Sequence, residues 1–285
     1  MMERVRVSGQ GQPWVFTRLS EGPRAILALH GTGASSHSFR PLAEQLQGRW
    51  ALWAPDLPGH GASPLAPGFH PTRQALAASL GDALSALAIP WALALGHSAG
   101  AAILLQHRLE RPVRVRGSLP LGLLAPALLP LAGLQRWLFP AAAELLARYP
   151  SWLSRLVARS TPERLARRLI ADTGSTLPPA QLQGYADLLA QPSHGEGALA
   201  LMRHWDLRSL TPALGQVQDP LLILTGTADR TYARPPRAAL APYLPSAAWR
   251  SFPSLGHLLH EEAPAEVWAA ITEWFPGDAL IEMTG

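Results

Sequence analysis

The apolar residues of this chain fall into short blocks rather than one long one. Residues 24–29, 50–55, 91–95 and 220–225 are compact apolar runs, and 113–124 and 247–252 are looser ones. Runs this short, apolar on consecutive positions, predict strands buried on both faces. Two further blocks, 5–7 and 14–17, flank Gly9-Gln10-Gly11 and predict an antiparallel entry hairpin. Between the runs the spacing lengthens to a helical period. Leu76, Leu80, Leu84 and Leu87 form one stripe over 72–87. Residues 38–46 and 99–106 are also helical in pattern, and 264–275 predicts a closing helix.

Strand and helix therefore alternate up to residue 124, the signature of a mostly parallel sheet covered by helices on both faces. The alternation then stops. From 126 to 212 no strand is predicted, only helical stretches at 141–147, 152–158, 161–171, 179–189 and 195–204. Ser160-Thr161-Pro162-Glu163 is a helix start, with a hydroxyl cap, an early proline and an early acid. Residues 1–125 and 212–285 are thus expected to form one α/β core, with 126–211 inserted as a helical cap after the sixth strand.

The chain has 285 residues, 48% of them hydrophobic and 15% charged, enough for one α/β domain with an insertion. It has no cysteine, which excludes disulfides, thiolate metal sites and a cysteine nucleophile. The first thirty residues lack a charged-then-apolar leader, so a cytoplasmic protein is expected. Residues 117–135 carry no charge, but Pro120, Pro126 and Pro130 argue against a spanning helix. All 24 basic residues are arginine. Seven of them (136, 148, 155, 159, 164, 167 and 168) lie within 131–170, against Glu144 and Glu163. Such a patch is either a solvated helix face or a footprint for an anionic partner. No recognition motif for nucleic acid accompanies it.

The chemistry centres on Gly96-His97-Ser98-Ala99-Gly100, between the 91–95 run and the next helix. A strand that turns straight into a helix forces its middle residue into a strained conformation, and glycines two positions away remove the Cβ atoms that would clash. The serine oxygen is then pushed clear of the backbone, at the positive end of a helix. Asp229 follows the 220–225 run and His257 follows the last strand. Ser98, Asp229 and His257 thus stand in the chain order of the α/β-hydrolase triad, each just past a strand. Serine needs an imidazole to take its proton, and the imidazole needs a carboxylate to fix its tautomer. His30-Gly31-Thr32-Gly33 follows the third strand. Thr32 and Ala99 are the expected backbone donors to an oxyanion. Asp56 and His60, in a Pro- and Gly-rich loop, are expected to order that loop rather than react.

Several segments carry a narrower resemblance. They are His30-Gly31-Thr32-Gly33-Ala34-Ser35 with His37-Ser38, Asp56-Leu57-Pro58-Gly59-His60-Gly61, Gly96 through Ile103, Thr173-Gly174-Ser175, Tyr185 through Pro192-Ser193-His194, Gly197 through Met202 with Trp205-Asp206-Leu207, and Gly256 through Glu262. With them the chain resembles the α/β-hydrolase-fold proteins encoded with bacteriochlorophyll synthesis, the magnesium-chelatase accessory (30 kDa subunit) family. The resemblance implies a role near magnesium insertion into protoporphyrin, with contact to magnesium-chelatase subunits. One departure is the apolar stretch Pro120 to Ala125, where a more polar turn is expected.

A porphyrin is a flat apolar ring with two propionates. Trp137, Phe139, Trp152 and Trp205 are candidates to cover such a ring, Arg164 and Arg168 to pair with its propionates, and His30 and His97 to line the pocket. The same basic cap suits the surface of an anionic membrane. The ten histidines are scattered without metal-ligand spacing, so neither a metal site nor a cofactor is expected. Three functions remain open at this point: an accessory protein of bacteriochlorophyll synthesis, a serine esterase or amidase acting on a small hydrophobic acyl substrate, and a non-catalytic porphyrin carrier.

Overall fold

In the computed structural model the described residues are 3–46, 48–111, 119–129, 162–231 and 236–275. Eight strands form one sheet: β1 (Glu3–Gly9), β2 (Gln12–Arg18), β3 (Arg24–Leu29), β4 (Trp50–Asp56), β5 (Trp91–His97), β6 (Leu121–Leu124), β7 (Leu221–Gly226) and β8 (Ala248–Phe252). Their spatial order is β1-β2-β4-β3-β5-β6-β7-β8. The β1–β2 and β2–β4 pairings are antiparallel and every later pairing is parallel. The entry hairpin turns at Gln10 and Gly11, with φ of 51° and 76°. Positive φ at both central turn residues matches the right-handed twist of the strands.

The apolar runs are buried because each faces two cores. On β3, Ala25, Leu27 and Leu29 join one hydrophobic cluster, while Ile26 and Ala28 join the other. β7 divides the same way, with Leu221 and Ile223 on one side and Leu222 and Leu224 on the other. This is the period-2 alternation of a strand with apolar layers above and below. Helices α2 (Arg73–Leu87) and α3 (Ala99–Glu110) cover the first face. α2 is capped by Thr72, whose hydroxyl accepts from Ala75 N at 3.1 Å. It ends at Ala88 in the left-handed region, φ 51°.

The helix expected over 38–46 is instead a 3₁₀ turn, Ser36–Phe39, followed by a single α turn, α1 (Arg40–Ala43). Ser35 starts the element earlier by accepting from His37 N. Pro41 then brings no N–H to carry a regular ladder through. Of the strand expected over 113–124, the described part is Leu121–Leu124, residues 112–118 lying outside the described set.

Between β6 and β7 the described residues form α4 (Pro162–Asp172), α5 (Pro179–Leu189), α6 (Pro192–Arg203) and the short α7 (Leu210–Ala213). Ala166, Ile170, Leu177, Tyr185 and Ala186 make a separate small core that packs on Ala34 and Leu258 of the sheet domain. These helices thus sit over the loops that leave β3 and β8. After β7 come α8 (Pro236–Leu240), then α9 (Leu259–Glu262) and α10 (Pro264–Trp274) beyond β8.

Candidate active site

Ser98 occupies the N-cap position of α3, where a serine ordinarily bonds the first helical N–H groups. Here its side chain makes no capping bond. Its backbone is held at φ 49° and ψ −115°, a conformation costing about 1–3 kcal/mol for a non-glycine residue. Neighbouring bonds hold it there: Ser98 N donates to Leu124 O at 3.0 Å, and Ser98 O accepts from Ala101 N and Ala127 N. The flanking glycines are sterically required. A Cβ on Gly96 would lie 2.6 Å from Ala101 Cα, and one on Gly100 would lie 2.4 Å from Leu29 O.

The loops after β7 and β8 meet in one side-chain contact. His257 Nδ1 lies 2.8 Å from Asp229 Oδ2, with the carboxylate side chain 1% exposed. The other oxygen, Oδ1, accepts from Thr231 N at 2.8 Å and from the Thr231 hydroxyl at 2.7 Å. The carboxylate can turn only by breaking those bonds. The sequence reading missed Thr231, although Asp followed two residues later by Thr is the signal of an Asx-type turn.

The loop after β3 reaches the same place. Gly31 lies so close to Ser98 that a Cβ on it would be 2.9 Å from Ser98 Cβ. Gly31 O accepts from Ala34 N at 3.2 Å and from His30 Nδ1 at 2.8 Å, which closes residues 31–34 into a fixed turn. Thr32 is its half-exposed second residue, and Ala99 is the first residue of α3. First-turn N–H groups of a helix have no partner within it.

Two of the expected pocket residues are framework instead. His30 is fully buried; its Nδ1–H bonds Gly31 O and its Nε2 accepts from Leu57 N at 2.9 Å. Neither nitrogen is left for a ligand, and burial followed by nearby His60 pushes its pKa well below the ordinary value. His97 is 2% exposed, with Nε2 3.2 Å from His257 O and its ring packed on His257 and His260. Burial is the main reason it stays neutral. It supports the His257 loop from beneath rather than facing the pocket.

Trp205 is also displaced from the expected role. It is half-buried against the main core on the α2–α3 side. Arg164 and Arg168 lie on the exposed face of α4, beside Arg167 and Leu169, the last 47% exposed. Trp137, Phe139 and Trp152 lie outside the described residues. Asp56 does order its loop: Oδ1 accepts from Ser36 N at 2.6 Å and Oδ2 from Ala62 N at 2.7 Å. His60 is buried behind it, at a pKa of about 3, chiefly through burial.

The segment between β6 and β7 is built onto the loops that carry Asp229 and His257. Gly174, at φ +84°, comes so near the loop of Asp229 that a Cβ would lie 2.0 Å from Ala228 O. Arg230 N donates to Thr173 O at 3.1 Å. Ser175 Oγ accepts from Leu258 N at 2.8 Å, next to His257. Glu262 accepts from Gly256 N and Thr176 N. Tyr185 on α5 donates to Glu261 Oε1 at 2.5 Å. Burial raises the Glu261 carboxyl to about 8, so it is protonated at neutral pH. Among the described residues no group of three or more His, Asp or Glu is arranged to hold a metal ion. None of the described helices is long and apolar enough to cross a membrane.

A family model described as "Alpha/beta hydrolase family" matches residues 26–270. The magnesium-chelatase 30 kDa subunit of Rhodobacter capsulatus is 35% identical over 268 residues, covering 93% of this chain and 91% of that protein. A pimeloyl-[acyl-carrier protein] methyl ester esterase of Chromobacterium violaceum is 28% identical over 247 residues, 86% of this chain and 92% of that one. Among solved structures, the epoxide hydrolase CorEH superposes with a TM-score of 0.78 at 18% identity, over 97% of this chain and 99% of that one. Sheet order and family match agree, and the chain belongs to the alpha/beta hydrolase family, with similarity to the magnesium-chelatase 30 kDa subunit along nearly its whole length.

Proposed function

We propose that this protein is a serine hydrolase that cleaves an ester or amide of a small hydrophobic acid and works beside magnesium chelatase in handling protoporphyrin. The observation that carries the hydrolase reading is the Asp229–His257 contact at 2.8 Å, in the loop cluster that also holds a strained, non-capping Ser98. Asp229 accepts a hydrogen bond from His257 Nδ1–H and so leaves Nε2 with its lone pair. Nε2 takes the proton from Ser98 Oγ as the oxygen attacks the substrate carbonyl. The N–H groups of Thr32 and Ala99 receive the developing oxyanion. His257 then gives its proton to the leaving group, and water repeats the sequence on the acyl-Ser98 ester.

The pathway assignment rests on similarity to the magnesium-chelatase 30 kDa subunit, and the ester preference is supported by similarity to a methyl ester esterase. Residues 126–211 serve in this reading as a cap over the pocket. The exposed arginines of α4, with Leu169 among them, suit the propionates of a porphyrin or an anionic membrane surface in the cytoplasm.

The test is labelling by a fluorophosphonate together with turnover of short-chain esters, on wild type and Ser98→Ala. Labelling and turnover that vanish in Ser98→Ala are the expected result. A folded wild type that does neither overturns the hydrolase reading. Titration with protoporphyrin and its magnesium complex, followed by tryptophan quenching, tests the pathway. Saturable micromolar binding is expected, and ester turnover without porphyrin binding assigns the enzyme to another acyl substrate.

A further inference from the structure

His194 lies on α6, far from the triad in sequence, yet both of its ring nitrogens bond to the backbone of core loops. Nε2 is 3.2 Å from Gly33 O, and Nδ1 is 3.2 Å from Gly61 N. A carbonyl can only accept and an amide N–H can only donate. The ring is therefore the neutral tautomer with its hydrogen on Nε2. The side chain is 2% exposed, so it is not arranged to meet solvent or a diffusing ligand.

The two loops it joins are the turn that carries Thr32 and the loop that leaves β4. Asp56 already ties them at one end, through Ser36 N and Ala62 N. His194 ties them at the other. The 31–34 turn is then gripped on both sides of Thr32. Gly31 O is held by Ala34 N and His30 Nδ1, and Gly33 O is held by His194. Gly33 itself has φ +78°, and glycine, with no Cβ, is the least restricted residue in backbone conformation, so an outside bond to its carbonyl adds a constraint the residue lacks. One turn further along α6, Gly197 packs against the Gly59 backbone, so the helix that presents His194 is itself set against the same core loop.

We propose that His194 is a positioning residue for the oxyanion donor Thr32, and that the cap thereby completes the catalytic site of the core. The proposal rests on the hydrolase reading given above. It predicts an acid sensitivity as well. Protonation of Nδ1 would set an N–H against the Gly61 N–H and release that loop. The groups facing the ring are Asp56, whose charge opposes the shift, and the neutral His60, 5.1 Å away between ring centres, with His30 and His37 close behind. Burial is the largest influence and keeps the ring neutral.

The experiment compares wild type, His194→Ala and His194→Gln, each first titrated with a fluorophosphonate to count active sites. Glutamine can donate to Gly33 and accept from Gly61 without titrating. His194→Ala is expected to lower kcat about 10- to 100-fold, less than the 10²–10³ lost when an oxyanion donor is removed outright. KM should move less than about 3-fold, and His194→Gln should recover most of kcat. A loss confined to KM, no loss at all, or no rescue by glutamine at equal melting temperature would overturn the proposal. If His194→Ala fails to fold, His194→Phe, which keeps ring volume and neither bond, replaces it. Hydrogen exchange of the 31–36 backbone is measured on the same proteins. If the wild type is inert, the hydrolase reading fails and exchange alone decides the clamp. Faster exchange in the alanine but not the glutamine variant supports it, and equal exchange in all three overturns it.

Discussion

Gly197 of α6 and Gly59 of the loop after β4 meet backbone to backbone. A Cβ on Gly197 would lie 2.0 Å from the Gly59 carbonyl oxygen, and one on Gly59 would lie 2.6 Å from Gly197 Cα. Two effects oppose each other in Gly197→Ala. Helix propensity favours alanine by about 1 kcal/mol. Overlap with backbone, which cannot rotate away as a side chain can, costs about 1–3 kcal/mol or more. Overlap wins, so α6 must lift from the core. The expected result is a melting temperature lower by about 2–6 °C, with kcat reduced because His194 moves with the helix. A variant as stable as wild type would show that α6 docks in some other way.

Thr231 holds Asp229 by two bonds, and only one of them involves its side chain. Thr231→Val keeps the backbone N–H bond and removes the hydroxyl bond, worth about 1 kcal/mol or somewhat more to a carboxylate. Ester kcat is expected to fall about 3- to 10-fold, with KM nearly unchanged. Asp229→Asn is far more severe, on the order of 10³–10⁴ in kcat, because an amide stabilises the wrong imidazole tautomer. Steady-state kinetics on the two variants checks both. Equal losses in the two would mean that Thr231, and not the carboxylate, sets the histidine.

The sheet was legible because its signals are local, and Ser98, Asp229 and His257 could be named as candidates from equally local patterns. Strand burial is written in consecutive apolar residues, and the elbow in two glycines around one serine. The support for the site was not legible, because it joins distant residues. Tyr185 and Glu261 are 76 positions apart, and His194 and Gly33 are 161 apart. No periodicity links such pairs. The same locality misled for His30 and His97. Each adjoins a residue of the site, Gly31 and Ser98, which suggested rings facing the pocket. Their backbones do adjoin it, but the rings turn inward, where both nitrogens of His30 and Nε2 of His97 bond neighbouring loops. Helix 38–46 failed for a similar reason, since Pro41 and the Ser35 cap interrupt a periodic pattern without changing it.

Acid should unfold this protein early. Burial, first among the causes, holds His37 and His107 at about 4 and His60 and His260 at about 3. Folded values below the unfolded value of about 6.5 mean that stability is fully present above pH 6.5 and is lost as pH falls through 4 to 3. In that window each histidine contributes a slope approaching about 1.4 kcal/mol per pH unit. Four such groups together approach about 5–6 kcal/mol per pH unit, comparable with the lower end of a typical stability of about 5–15 kcal/mol. The melting temperature is expected to fall steeply below pH 6. A melting temperature unchanged down to pH 4.5 would mean that these rings gain access to water in the folded protein.

Glu261 works in the opposite direction. It is buried against α5, accepts from Tyr185 at 2.5 Å and lies 3.9 Å from His260 Nε2. That distance suggests an ion pair, but His260 is neutral above about 3 and Glu261 is protonated below about 8. At neutral pH both are uncharged, and the contact is a carboxylic acid beside an imidazole. The remaining groups around it are Glu262, whose charge raises it further, and Tyr185, whose hydrogen bond lowers it. A carboxyl raised in the fold contributes stability that is fully present below its unfolded value of about 4.5 and is lost as pH rises through 8. Glu261→Gln keeps an oxygen for Tyr185 and cannot ionise. It is expected to match wild type near pH 5 and to exceed it at pH 8 by about 2–4 kcal/mol, read as the difference in denaturant unfolding free energy at the two pH values. A difference independent of pH would show that Glu261 already ionises at ordinary values in the folded protein, and that the Tyr185 contact is made to a carboxylate.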